Sequence, residues 1–245
     1  MNPHDHHDWH SEEYVREWVT RSQPEDQARL QRFQLMADLV PHPKDAPISV
    51  LDVGSGYGPL ANLMLRAFPQ ARLTAQDYSD PMLAYARRLL APHRGRATFV
   101  KADLFSSDWV ALVGGPFDAV VSSIAIHNLR SASRIREVYR EIYRAVKDGG
   151  CFLNLDLVNA PAPELQRRYW EIMMSRRAAR GPSEEPQQGA AEALARQLEA
   201  DGEEETRLPF PATVDDQLAW LGEAGFRQVD CFWKELGLAL VGGYK

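Results

Sequence analysis

Three acids, three glycines and one histidine carry the chemistry of this chain. Asp52 closes the apolar run VLDV, and three alternating glycines follow it: Gly54, Gly56 and Gly58, with Ser55 between the first two. Glycine is required where a backbone must turn sharply or let a ligand lie directly against it. A second acid, Asp77, ends the run ARLTAQD and lies 21 residues beyond Gly56. A carboxylate so placed accepts both hydroxyls of a ribose, and NAD enzymes carry an acid near the same spacing. Asp77 therefore points to an adenosine ligand without choosing which. Tyr78 follows it and offers a ring face for stacking on a base. Asp103 sits in a third apolar run, ATFVKADLF at 97–105, and is followed by Leu104. His127 comes a few residues after a fourth run, FDAVVSS. Imidazole titrates near the pH at which a proton acceptor is useful, so His127 is the candidate base.

These residues need elements to position them. Each acid ends or follows a short apolar run of strand type, and each run is followed by a helical pattern. VLDVGSGYG before PLANLMLRAF reads as strand, tight loop and helix start. The second helix is entered through Ser79, Asp80 and Pro81, a cap residue with proline just inside. After the fourth strand and its exit (117–129), EIYRAVKDGGCFLNLDLV predicts a helix, a turn at Asp148, Gly149 and Gly150, and a fifth strand. Alternating strands and helices predict a doubly wound, mostly parallel sheet, which binds ligands at the carboxyl ends of its strands.

The glycine spacing is not that of a dinucleotide fingerprint, because its third glycine position is Pro59. The pattern D-x-G-x-G-x-G resembles the first motif of the class I S-adenosylmethionine (SAM)-dependent methyltransferases, and the resemblance runs without a gap over residues 48–158. It implies a seven-stranded Rossmann-like fold with SAM bound by Asp52, Gly54, Ser55, Gly56, Asp77, Tyr78, Asp103, Leu104 and Ser123, and with S-adenosylhomocysteine (SAH) as product. In that family the acid at Asp103 sits beside the exocyclic amine of adenine. Ser123 would meet the amino-acid part of SAM, and Asp52 would anchor the glycine loop through backbone amides. Many small-molecule members resemble this chain at S-x-x-A-x-H-[HN]-L, which implies that His127 is a base or a helix cap. PATVDDQLAWLGEAGF, QVDCFWK and LALVGGYK continue the likeness as a last helix and a terminal antiparallel pair. Thr213 and Asp216 form a capping-box pattern there, and Gly225 a stop.

The remaining segments divide the chain into a tail with cofactor-covering helices (1–47), a SAM-binding core (48–160), a helical lid insertion (161–211) and a completing helix with strand pair (212–245). The periodicity predicts two helices over 11–22 and 25–40, with Tyr14, Trp18 and Arg21 as candidates to line a closed pocket or pack ordinarily. The lead MNPHDHHDWH reads as a loose terminus rather than a metal site, and no metal is expected. Pro163 opens a helix whose Tyr169, Ile172 and Met173 share a face; a linker, GPSEEPQQG, and a charged helix follow it.

The chain has 245 residues, 44% of them hydrophobic, which is enough for one sizeable core. A net charge of −6 argues against a broad nucleic-acid footprint. Cys151 and Cys231 lie in expected strands without metal spacing and read as small buried hydrophobes. No apolar leader or membrane-length run is present, so the expected location is cytoplasmic. The expected partner is a small-molecule methyl acceptor, with a homodimer as an open option. Two other readings stand beside methyl transfer. RSQP at 21–24 is similar to tRNA uridine carboxymethyltransferases, which would need an arginine such as Arg168, Arg176 or Arg180 to grip an extra carboxylate. A non-catalytic SAM-binding module would bind cofactor without turnover.

Overall fold

A computed structural model describes residues 8–93, 95–178 and 212–245. Seven strands form one sheet: β1 (Ser49–Val53), β2 (Arg72–Asp77), β3 (Ala97–Lys101), β4 (Phe117–Ser123), β5 (Val146–Leu157), β6 (Arg227–Glu235) and β7 (Leu238–Tyr244). Their spatial order is β3-β2-β1-β4-β5-β7-β6. The first five run parallel, and β7 is antiparallel to both β5 and β6. The seven-stranded mixed sheet is therefore the one the motif order predicts. β1 and β4 are neighbours although β2 and β3 intervene in the chain, so the strand order reverses between them. In open sheets of this kind the ligand crevice lies at that reversal, outside the carboxyl ends of the strands.

The helices are α1 (Glu12–Leu39), α2 (Pro59–Ala67), α3 (Asp80–Leu89), α4 (Trp109–Val113), α5 (Ala132–Ala145), α6 (Pro163–Ala178) and α7 (Val214–Ala224). Their starts follow the side-chain signals. Ser79 Oγ accepts from the Met82 amide, Ser131 from the Arg134 amide, and Thr213 with Asp216 closes a reciprocal capping box. The sheet is covered on both faces, as parallel strands require. One apolar layer joins α1 and α2 to the sheet through Phe33, Met36, Leu60 and Met64. The other joins α4, α5 and α7 through Trp109, Val138, Tyr139, Ile142 and Leu221.

Four expectations change. The two N-terminal helices are one helix of 28 residues. Pro24 removes a backbone donor, a defect of about 3 kcal/mol in a helix interior. Val15 and Val19 before it and Phe33, Met36 and Ala37 after it are buried on the core, and that packing holds the helix continuous. The turn expected at Asp148–Gly150 lies inside β5 as an excursion: Phe117 pairs with Val146 and Ala119 with Cys151, so residues 147–150 loop out of the ladder. Cys231 is only half-buried, unlike Cys151. The loose-terminus reading fails for residues 8–10, described below. The linker at 181–189 and the charged helix after it lie outside the described residues, as do His4, His6 and His7. Among the described residues no helix is long and apolar enough to cross a membrane.

Candidate active site

A cleft of about 1130 Å³, counting its open mouth, lies at the carboxyl ends of β1 and β4. Its floor is the glycine loop between β1 and α2. Gly54 has φ +63°, and a Cβ there would stand 2.3 Å from the Ala125 Cβ, so the loop passes directly against the exit of β4. Gly56 has φ +54°, and a Cβ there would meet only the Met82 sulfur, at an ordinary contact distance of 4.0 Å. Both are backbone conformations that L side chains adopt only with strain.

The loop is held from β2. Gln76 Oε1 accepts from Gly54 N at 2.9 Å, and Asp77 Oδ2 accepts from Gly56 N at 2.8 Å. Gln76 Nε2 donates in turn to Ala102 O at the end of β3, at 2.6 Å. Asp52, expected to anchor this loop through backbone amides, bonds the Ala61 amide in the first turn of α2, just beyond the loop, while its Oδ2 is buried without a hydrogen-bond partner among the described residues. The anchor comes from the neighbouring strand because the Gly54 and Gly56 amides face β2. Gln76 was missed by sequence reasoning, since an interior strand position beside an obvious acid carries no signal of its own.

Asp52 and Asp77 are both almost wholly buried at the cleft floor. Burial pushes the Asp52 carboxyl well above the ordinary carboxylate range, and the charge of Asp77 pushes it the same way. Burial also raises Asp77, against the opposing bonds from the Ser79, Gly56 and Tyr78 amides. Asp77 Oδ1 accepts from the Ser79 amide and Oδ2 from the Gly56 amide, and the carboxylate retains acceptor capacity for a ligand. Tyr78 stands beside these acids; burial, then the charges of Asp77 and Asp103, raise its phenol above the ordinary range. On the far side, Asp103 Oδ1 accepts from Phe105 N at 2.9 Å and shapes the loop that carries Leu104.

Asp52, Gly54, Ser55, Gly56, Asp77, Tyr78, Asp103, Leu104 and Ser123 all line this one cleft. His127 does not line it; Ala125, Asn128, Leu129 and Arg130 from the same segment do. His127 sits in a short 3₁₀ turn, Ile126–Leu129, where Asp156 of β5 binds it twice. Asp156 Oδ2 accepts from the His127 amide at 2.9 Å, and Oδ1 bonds the ring Nδ1 at 2.6 Å. The contact puts the ring proton on Nδ1 and the basic lone pair of the neutral ring on Nε2. The histidine belongs to an acid–imidazole pair whose acid, 29 residues away, had no sequence signature.

The cleft has a roof from the N-terminal segment. Trp9 packs edge-on against Tyr14 and Trp18, Trp18 against Tyr57, and His10 against Tyr78. Ser79 Oγ, beside Asp77, donates to Trp9 O at 2.5 Å. Trp9 and Trp18 line the cleft, as do Arg29 and Phe33 of α1; Tyr14 and Arg21 do not. Residues 8–10 are therefore fixed in place, because three aromatic faces and one buried hydroxyl secure them. The described part of the insertion lies elsewhere. Arg168 pairs with Glu171, Arg176 with Glu235, and Lys234 with Tyr169, so α6 rests by the β6–β7 turn, away from the cleft. Neither Arg168 nor Arg176 is placed to grip a ligand in the cleft, and Arg180 lies outside the described residues.

Residues 50–150 match the family model of a methyltransferase domain. That stretch is less than half of the chain, and the seven-stranded mixed sheet built around it is that of Rossmann-like methyltransferases. The methyltransferase domain shares 34% identity over 125 residues with the ubiquinone/menaquinone biosynthesis C-methyltransferase of Methylobacterium nodulans, covering 50% of this chain and 47% of that protein. It shares 44% identity over 81 residues with the release factor glutamine methyltransferase of Chlorobaculum tepidum, covering 32% and 27%. The chain thus spans less than half the length of either relative. Human N-acetylserotonin methyltransferase, solved in complex with SAM, superposes with a TM-score of 0.57 at 17% identity over 97% of this chain and 57% of that one. That likeness shows the fold.

The cleft residues of the methyltransferase domain suit SAM on their own chemistry. The buried Asp52 Oδ2 and Ser55 Oγ have no partner. They stand on the floor where a ligand with an ammonium group would supply donors. With only the Met82 sulfur near its missing Cβ, Gly56 admits a ligand against the backbone. SAM carries no phosphate, and the floor correspondingly offers carboxylates rather than cations.

Proposed function

We propose that the protein is a SAM-dependent methyltransferase acting on a small-molecule acceptor. The observation that carries this reading is the single cleft shared by Asp77, Asp103 and the glycine loop. In it, Asp77 holds the ribose hydroxyls, Asp103 with Leu104 and Tyr78 holds the adenine, and Ser55, Gly56, Asp52 and Ser123 hold the amino-acid part. When bound there, SAM supplies a methyl carbon already activated on a sulfonium. The chain's own work is to hold the acceptor in line and to exclude water. Trp9, Trp18 and Phe33 form the apolar roof that does the second.

Where the acceptor atom holds a proton tightly, His127 Nε2 is the candidate base; the ring does not line the cleft, so it acts only on an acceptor that reaches past Ala125 and Asn128, with Asp156 fixing the ring. The expected outcome of His127→Gln is a fall in turnover of about 10²–10⁴-fold, typical for a lost general base, with SAH affinity unchanged. Turnover within twofold of wild type makes His127 structural.

Transfer of label from methyl-labelled SAM to a panel of phenols, amines, thiols and quinols tests the function. Labelling of a small molecule, with none on total tRNA or protein, supports it. SAM binding without label on any acceptor supports the regulatory module instead. A second reading draws on Arg130, which lines the cleft and whose guanidinium makes no hydrogen bond or ion pair among the described residues. Burial lowers its guanidinium from the ordinary value. It is placed to receive a carboxylate, on the acceptor or on a carboxylated sulfonium as in tRNA carboxymethyl transfer. Mass spectrometry of the copurified ligand decides; a plain methyl sulfonium excludes carboxymethyl transfer.

A further inference from the structure

The loop from Ala102 to Asp108 carries Asp103, Leu104 and Phe105 to the cleft outside any strand or long helix. Its first residue is tied to β2 through Asp77 O and Gln76, and its middle is held by one side chain of α5. Arg134 Nε donates to Leu104 O at 2.7 Å, and its Nη2 donates to Ser106 O at 3.1 Å. The same guanidinium is gripped from behind by Glu141, with Nη1 to Oε1 at 2.9 Å and Nη2 to Oε2 at 2.8 Å. Glu141 Oε2 also accepts from the indole Nε1 of Trp109, at 2.6 Å. Only 11% of the Arg134 side chain and 7% of the Glu141 side chain are exposed. Burial opposes the guanidinium charge, but the bonds and charge of Glu141 outweigh it, and the group is held above its ordinary value.

An ion pair that served only to join α5 to α4 would not need to reach the backbone of this loop. Here the planar guanidinium bonds Glu141 and, through Nη1, the exposed Glu137 on one side, and on the other the carbonyls of Leu104 and Ser106 on either side of Phe105, a fork geometry that lysine lacks. The fork fixes the spacing of those two carbonyls. Asp103 precedes the first of them, and its own Oδ1 is tied to Phe105 N, so the carboxylate moves with the clamped turn.

We propose that Arg134 is a positioning residue for base recognition: it clamps the Asp103–Ser106 turn so that the Asp103 carboxylate meets the amino edge of adenine. This rests on the reading of the cleft as a SAM site. The clamp sets selectivity for a base that donates at C6, as adenine does, over one that accepts there, as hypoxanthine does.

Calorimetry on the full chain with SAH and with S-inosylhomocysteine tests this. Wild type is expected to prefer SAH. Arg134→Met keeps the apolar stem, removes the donors and is expected to weaken SAH about 10–100-fold, the effect of losing charge-assisted bonds behind a recognition group, and to shrink the preference toward one. Arg134→Lys, which keeps the charge but not the fork, is expected to fall between, and it carries the test if Arg134→Met does not fold. Trp109→Phe strips one bond from Glu141 and leaves the loop contacts; it is expected to lower the melting temperature and keep the preference. A folded Arg134→Met, or failing it Arg134→Lys, with the wild-type preference overturns the clamp while leaving the SAM site standing. Wild type that binds neither nucleoside overturns both.

Discussion

Replacing Asp77 by Asn isolates the residue on which both the loop geometry and the ligand reading converge. The carboxylate accepts Gly56 N at 2.8 Å and Ser79 N at 2.9 Å on separate oxygens. Asn offers one acceptor oxygen and turns an NH₂ toward the other donor. One buried backbone N–H loses its partner, which costs about 1–3 kcal/mol. For a chain of this size each kcal/mol shifts the melting temperature by about 2–4 °C, so a fall of roughly 2–12 °C is expected. Relief of the repulsion with Asp52 works the other way and places the result in the lower half of that range. Ligand affinity falls separately. One charge-assisted acceptor for the ribose diol is lost, about 1.5–3 kcal/mol, or about 10–150-fold in Kd for SAH. Differential scanning fluorimetry reads the first effect and isothermal titration calorimetry the second. A folded Asp77→Asn variant that binds SAH within threefold of wild type refutes the assignment of Asp77 to the ribose.

Further outcomes follow from the same geometry. Gly56→Ala adds only left-handed strain of about 1–2 kcal/mol, whereas Gly54→Ala adds that strain plus a 2.3 Å overlap with Ala125; thermal melts should show Gly54→Ala clearly the less stable, and equal melting temperatures contradict the close approach. Asp52 is held above its unfolded range, so the native state binds the extra proton and wild-type stability falls as pH rises from about 4 through the raised folded value. Asp52→Asn removes that slope, so it should gain on wild type at neutral pH and converge with it near pH 4; parallel pH–stability curves count against the burial argument. Trp9→Ala deletes two edge-on ring contacts, each about 0.5–1.5 kcal/mol, and calorimetry should show SAH binding weakened by up to about 5–150-fold, whereas unchanged affinity would return the terminus to a bystander.

Much of this site could be read before any coordinates. Asp52, Gly54, Ser55, Gly56, Asp77, Tyr78, Asp103, Leu104 and Ser123 stand at strand ends, and the alternation of strands and helices fixes which strand ends meet. That is a consequence of topology, so residue type and spacing suffice. Side-chain partnerships are different, because they depend on which face of a neighbouring strand or helix is presented. Gln76 and Asp156 hold the glycine loop and His127 from positions with no pattern around them. Asp52 precedes the glycines but bonds the Ala61 amide at the start of α2, while the Gly54 and Gly56 amides face β2. Trp9 and His10 were read as loose because a polar, histidine-rich lead has no periodicity, yet two rings and Tyr78 supply a surface that no local rule anticipates. Pro24 looked like a break between helices because helix propensity is local and the packing that overrides it is not.

The claim at the centre is that adenosine lies between Asp77 and Asp103 with its sulfur end over the glycine loop. A crystal structure of the full chain with SAH tests it most directly. The account predicts the ribose hydroxyls on Asp77, the adenine amine on Asp103 and the ligand covered by Trp9 and Trp18. SAH found outside this cleft, or in it with neither acid within hydrogen-bonding distance, contradicts the account.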